Sequence, residues 1–138
     1  MPGLLADVNS EGHLEVLLRI CKGRQWRDLW AALNVRLCSF KTLHLDRMLK
    51  DSDVWELCQR EDLLLITINR NQIDADSLQA TIAARNTLQS LPVLTLADAD
   101  LILNDGNYAE RAAIRLMEIL LDVDAERGTG RLYLPPTP

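Results

Sequence analysis

The chain has 138 residues, 48% of them hydrophobic and 25% charged, with a net charge of −5. That size and balance suit one globular domain with its own core, and they exclude collagen-like, low-complexity and largely disordered classes. The start, Met1-Pro2-Gly3-Leu4-Leu5-Ala6-Asp7, lacks a basic region and meets a charge at Asp7, and no apolar run reaches spanning length. A cytoplasmic protein with no membrane partner is therefore expected. Cys21, Cys38 and Cys58 are odd in number, and they and the two histidines His13 and His44 are widely spaced, so neither a disulfide framework nor a zinc site is supported. The cysteines read as small buried hydrophobes.

In chain order, Leu4 to Val8 reads as a short apolar strand, and Leu14, Leu17, Leu18 and Cys21 follow at helical spacing. Asn9 or Ser10 is placed to cap that helix, and Gly23 to stop it. Trp26, Leu29, Trp30 and Leu33 mark a second amphipathic helix ending near Asn34, and Val35 to Phe40 alternates as a half-buried strand does. After a connector through Leu43 to Leu49, Asp53 to Arg60 forms a helix. Leu63-Leu64-Leu65-Ile66-Thr67-Ile68 is then a strand buried on both faces, the signature of the middle of a parallel sheet.

Residues 76 to 88 form a helix and Pro92 to Leu96 the next strand. Asn104-Asp105-Gly106 marks a turn, and a helix begins at Asn107, with Glu110 in capping-box spacing, and runs to Val123. Its apolar surface is wide enough that it must be enclosed by the domain or packed against a second subunit, a homodimer. Gly128-Thr129-Gly130 leads into an edge strand, Arg131 to Leu134, and 135–138 is expected to be a disordered tail. One domain over 1–134 results: three-layer α/β, with a mainly parallel central sheet of about five strands and helices on both faces.

Charge is uneven along this framework. Eight basic and two acidic residues fall between Arg19 and Lys50, giving +6 there and −11 elsewhere. A basic surface beside an acidic remainder suits a phosphate backbone approaching carboxylates, with Arg19, Lys22, Arg24 and Arg27 as nucleic-acid-binding candidates; solvated helix faces without a partner give the same pattern. Trp26 and Trp30, beside two of these arginines, fit core positions better than base stacking.

Ligands in parallel sheets bind beyond the carboxyl ends of the strands. Those positions hold Asp7 and Asn9, then Asn69 and Asn71, then Asp98 and Asp100, with Asp53 and Glu56 opening the helix before the central strand. Acids converging from separate elements can hold Mg²⁺ or Mn²⁺ for attack on a phosphodiester. Each also suits a plain cap or turn. No nucleophile elbow, P-loop or HExxH motif is present.

Leu4-Leu5-Ala6-Asp7-Val8-Asn9, Ser52-Asp53-Val54-Trp55-Glu56-Leu57 and Leu65-Ile66-Thr67-Ile68-Asn69-Arg70-Asn71 together resemble the small PIN-like proteins, related to toxin ribonucleases. The motifs cover the first half of the chain, and element order covers the rest. The resemblance implies a Mg- or Mn-dependent ribonuclease, a component of a toxin-antitoxin pair, with RNA as substrate and an antitoxin-like protein as partner. It places Asp7, Asp53 and Asn69 in catalytic positions and Asp7, Asp53, Asn69 and Asn71 as metal ligands. Asn69 and Asn71 stand where the pattern has Asp, so a weakened site is expected, unless Glu56, Asp98 or Asp100 restores charge. The alternative is a catalytically inactive module of the same fold that binds protein or nucleic acid.

Overall fold

The computed structural model describes residues 2–68 and 78–136, and its core is a five-stranded sheet, parallel throughout, in the order β2-β1-β3-β4-β5. The strands are β1 (Gly3–Ala6), β2 (Leu37–Cys38), β3 (Leu63–Ile68), β4 (Val93–Leu96) and β5 (Arg131–Leu134). Among the described residues six helices cover them: α1 (Glu11–Cys21), α2 (Arg27–Leu33), α3 (Asp51–Arg60), α4 (Leu78–Arg85), α5 (Ala99–Asn104) and α6 (Gly106–Leu121). The expected three-layer α/β architecture is observed, with every strand pairing parallel.

Alternation along the strands divides the core in two. Leu4, Leu64, Ile66, Leu94, Leu96 and Leu134 pack on one face beneath the apolar sides of α1, α5 and α6. Leu5, Leu63, Leu65 and Val93 pack on the other beneath α3 and α4, against Val54, Trp55, Cys58, Leu78 and Ile82. Both faces are dry, which is why β3 reads as a nearly continuous apolar run.

Several boundaries differ from expectation, each for a local reason. The strand anticipated over 35–40 keeps only Leu37 and Cys38, because it is an edge and finds register only at Leu4 and Leu5. Ser10 does precede α1, but its side chain makes no cap bond; its buried hydroxyl donates to Ile66 O at 2.9 Å and ties the helix to the sheet. The last long helix starts at Gly106, capped by the Asp105 carboxylate, which accepts from Asn107 N and Tyr108 N at 3.0 and 3.1 Å. Its apolar face is enclosed by the domain: seven of its residues are buried, and Leu121 alone among its large hydrophobics is exposed. At the carboxyl end, Pro135 is buried and Pro136 exposed.

Candidate functional site

The chain leaves β1 towards β2 on one side and returns past it to β3 on the other, so β1 and β3 flank the point where strand order reverses. A crevice opens beyond the carboxyl ends of such a pair. Asp7 sits there. Its backbone N–H continues the ladder by donating to Ile66 O at 3.0 Å, and its side chain falls on the α3 side of the sheet, the side of Leu5.

Two donors hold the Asp7 carboxylate, and a third hydroxyl stands beside it. Asn9 N donates to Oδ1 at 2.9 Å, the Ser10 hydroxyl lies 3.1 Å from the same oxygen, and the Thr67 hydroxyl donates to Oδ2 in a short bond. Thr67 is 2% exposed, so this bond sits at the edge of the dry core and fixes the orientation of the acid.

A cavity of about 170 Å³ opens in front of it. Asp7, Asn9, Thr67, Arg47 and Asp51 supply its polar lining; Phe40, Val54, Leu65 and Leu78 supply the apolar wall. Asp51 is the first residue of α3, where the positive end of the helix dipole favours a carboxylate. Arg47 stands exposed at the rim, with a weak pair to Glu11 at 3.8 Å.

The other expected site residues lie elsewhere. Asp53 is exposed in the first turn of α3 and does not line the cavity. The reason is helical geometry: residues two apart on an α-helix point about 200° apart, so when Asp51 faces inward Asp53 faces out. Glu56 is exposed and bridges to Arg85 on α4 at 3.2 Å. Asp98 caps α5, accepting from Leu101 N at 3.1 Å, and Asp100 is exposed in that helix; neither lines the cavity. Asn69 and Asn71 lie outside the described residues.

Arg19, Lys22, Arg24 and Arg27 are all exposed, with no carboxylate of a described residue within 4.0 Å. They occupy the end of α1, the following loop and the head of α2. Because α1 begins at the carboxyl end of β1 and runs back along the sheet, its last turn lies at the end where the strands begin. The cluster is thus at the opposite end of the sheet from Asp7. The basic residues on the cavity side are those after β2, above all Arg47.

A second polar feature continues the row that Asp7 and Thr67 begin. Thr95 on β4 is the register partner of Thr67 and is 0% exposed. Its hydroxyl accepts from Nη1 of Arg131, which reaches across from β5, while Arg131 Nε donates to Gln79 Oε1 on α4 at 3.1 Å. Burial lowers the Arg131 pKa from its ordinary value, opposed by Tyr133 and by Asp51. The charge of Asp51 therefore acts on both the cavity and this arginine.

Asp51, Thr67, Arg47 and Arg131 are the residues that sequence reasoning missed. Signals existed: Thr67 and Thr95 are the one polar residue in each of two otherwise apolar strands. Among the described residues no group of three His, Cys, Asp or Glu is placed to hold a metal ion. Two carboxylates do suit Mg²⁺ or Mn²⁺ that keeps most of its waters and draws further ligands from a substrate phosphate. No family model, curated protein or solved structure matches the chain.

Proposed function

We propose that the chain is a PIN-like, metal-dependent ribonuclease of weakened acidity, with Asp7 and Asp51 as its metal-binding carboxylates. One observation carries the reading: two acids from separate elements, after β1 and at the head of α3, line one cavity at the strand-order switch. The motif Leu4-Leu5-Ala6-Asp7-Val8-Asn9 supports it through Asp7, and Asp51 takes the place expected of Asp53. A bound Mg²⁺ or Mn²⁺ would neutralise phosphodiester charge and lower the pKa of a water.

The chain's own residues divide the remaining work. Thr67 and Asn9 hold the Asp7 carboxylate in one orientation, so that it binds without first paying to be ordered. Arg47, at the rim, attracts the phosphate. Phe40, Val54, Leu65 and Leu78 keep part of the cavity wall dry, which strengthens each charge interaction within it. Asn69 and Asn71 add no charge, so metal affinity is low.

The test is cleavage of single-stranded RNA in Mn²⁺. Cleavage is expected to stop in EDTA and to fall on the order of a hundredfold in Asp7→Asn and in Asp51→Asn, the usual scale for losing one group that stabilises developing charge. Asp53→Asn should leave it nearly unchanged. Cleavage surviving Asp7→Asn would defeat the reading.

A second reading is favoured by the lack of a three-acid group among the described residues: a non-catalytic nucleic-acid-binding module of the same fold. It predicts RNA binding without turnover, and no Mn²⁺ binding by calorimetry.

A further inference from the structure

Three arginines among the described residues are half-buried, and they are not alike. Arg115 reaches Glu126 at 3.6 Å and Glu118 at 3.8 Å; Arg127 reaches Asp124 at 2.7 Å and Asp62 at 3.7 Å. Arg131 has no carboxylate of a described residue within 4.0 Å. Its partners are neutral oxygens, Thr95 Oγ1 and Gln79 Oε1. Taking a cation partly out of water without a counter-ion in contact costs free energy, and folds keep such a group where it has an anion to meet. Asp51 offsets the cost only at longer range.

Beside this guanidinium is a second cavity of about 170 Å³, lined by Arg115, Arg131, Leu132, Tyr133 and Pro136. No acid lines it, so its character is opposite to that of the Asp7 cavity. Nε and one Nη1 proton of Arg131 are used, while Nη2 bonds to no described residue, so donors remain for an oxyanion. Tyr133 and Arg115, the latter already paired with Glu118 and Glu126, line the same space. A tetrahedral phosphate, with more acceptor oxygens and more charge than a carboxylate, suits a guanidinium that lacks a carboxylate of a described residue in contact.

We propose that this cavity at β5 is a phosphate-binding site with Arg131 as its main ligand. It stands without the nuclease reading, since it needs no metal. Its phosphate comes either from an RNA backbone or from a small phosphate compound.

The experiment is arginine modification by phenylglyoxal in the wild-type protein with EDTA, followed by peptide mass spectrometry. Inorganic phosphate, a single-stranded RNA oligonucleotide and acetate are compared at equal ionic strength. Phosphate is expected to slow labelling of Arg131 severalfold while Arg24 is unaffected. Protection by RNA as well assigns the site to a backbone phosphate; protection by free phosphate alone assigns it to a small compound. No protection, or equal protection by acetate, overturns the proposal.

Calorimetry with inorganic phosphate gives a second readout. Binding should weaken at least about tenfold in Arg131→Met and less in Arg131→Lys, as expected for hydrogen bonds to a charged group. Asp7→Asn should bind phosphate as the wild type does. Loss of RNA cleavage with intact phosphate protection would sink only the nuclease reading, and the reverse only the phosphate site. Because the labelling uses unaltered protein, an unfolded Arg131→Met leaves the question decidable.

Discussion

Thr67 shows how one buried hydroxyl fixes the acid of the proposed site. It donates one of the two hydrogen bonds to the Asp7 carboxylate, from a position 2% exposed. Thr67→Val keeps the shape but leaves a carboxylate oxygen without its donor. A loss of about 1–3 kcal/mol is expected in urea unfolding; on the proposed nuclease reading, Mn²⁺-dependent cleavage falls by more than stability alone explains. Unchanged stability would mean that water replaces the hydroxyl at no cost.

The buried thiols make a pH prediction. Burial pushes the Cys58 thiol up from 9.0 to about 12, with Cys38 adding to the shift, and pushes Cys21 up to about 11. Above pH 9 the unfolded chain sheds these protons while the folded chain keeps them, so the folded state binds more protons and stability falls as pH rises. The urea midpoint under reducing conditions should decline between pH 9 and 12, and Cys58→Ala should flatten that decline. At neutral pH both thiols stay protonated and unreactive towards alkylating agents.

At the scale of elements, β1 depends on a close approach. A Cβ on Gly3 would lie 2.7 Å from Arg36 O and 2.8 Å from Leu63 Cδ2. The first of these is backbone of the segment leading into β2, which cannot step aside without loosening the Leu4 N to Arg36 O hydrogen bond of 2.8 Å. Gly3→Ala is expected to cost about 1–3 kcal/mol, the range for overpacking, measured by thermal or urea unfolding. The strand was legible in the sequence from Leu4 and Leu5, but the need for glycine was not, since it comes from a neighbour more than thirty residues away. Caps behaved similarly. Ser10 has the right residue type for a cap, yet its hydroxyl bonds to Ile66 O, 56 residues off in sequence, because α1 docks on the carboxyl end of β3.

For the whole molecule, the distribution of charge between the two ends of the sheet separates residues that lie close together in sequence. Arg24 and Arg27 lie at the end where strands begin and Arg47 at the cavity. If RNA is bound at the Asp7 site as proposed, Arg47→Glu should weaken that binding about tenfold or more, as expected when one charged contact is reversed. The double substitution Arg24→Glu with Arg27→Glu should weaken it much less. Filter binding at low and moderate salt checks this, and equal effects would show that the bound strand reaches both ends.

Period and composition were enough for the architecture. Six nearly continuous apolar residues at 63–68 require cover on both faces, and helical spacing before and after supplies it, so a parallel three-layer sheet follows from local pattern alone. Asp7 could be placed in the same way, because the residue after the first strand of such a sheet sits at its carboxyl edge whatever the partners are. The choice between Asp51 and Asp53 could not. Both stand at a helix start, and which one faces inward depends on how α3 is rotated as it packs on β3 and buries Val54, Trp55 and Cys58. Nor does sequence distance say that Arg131, 36 residues from Thr95, reaches over β4 to meet it. Side-chain direction and meeting across strands are set by packing between elements, and that was decided only by the tertiary structure.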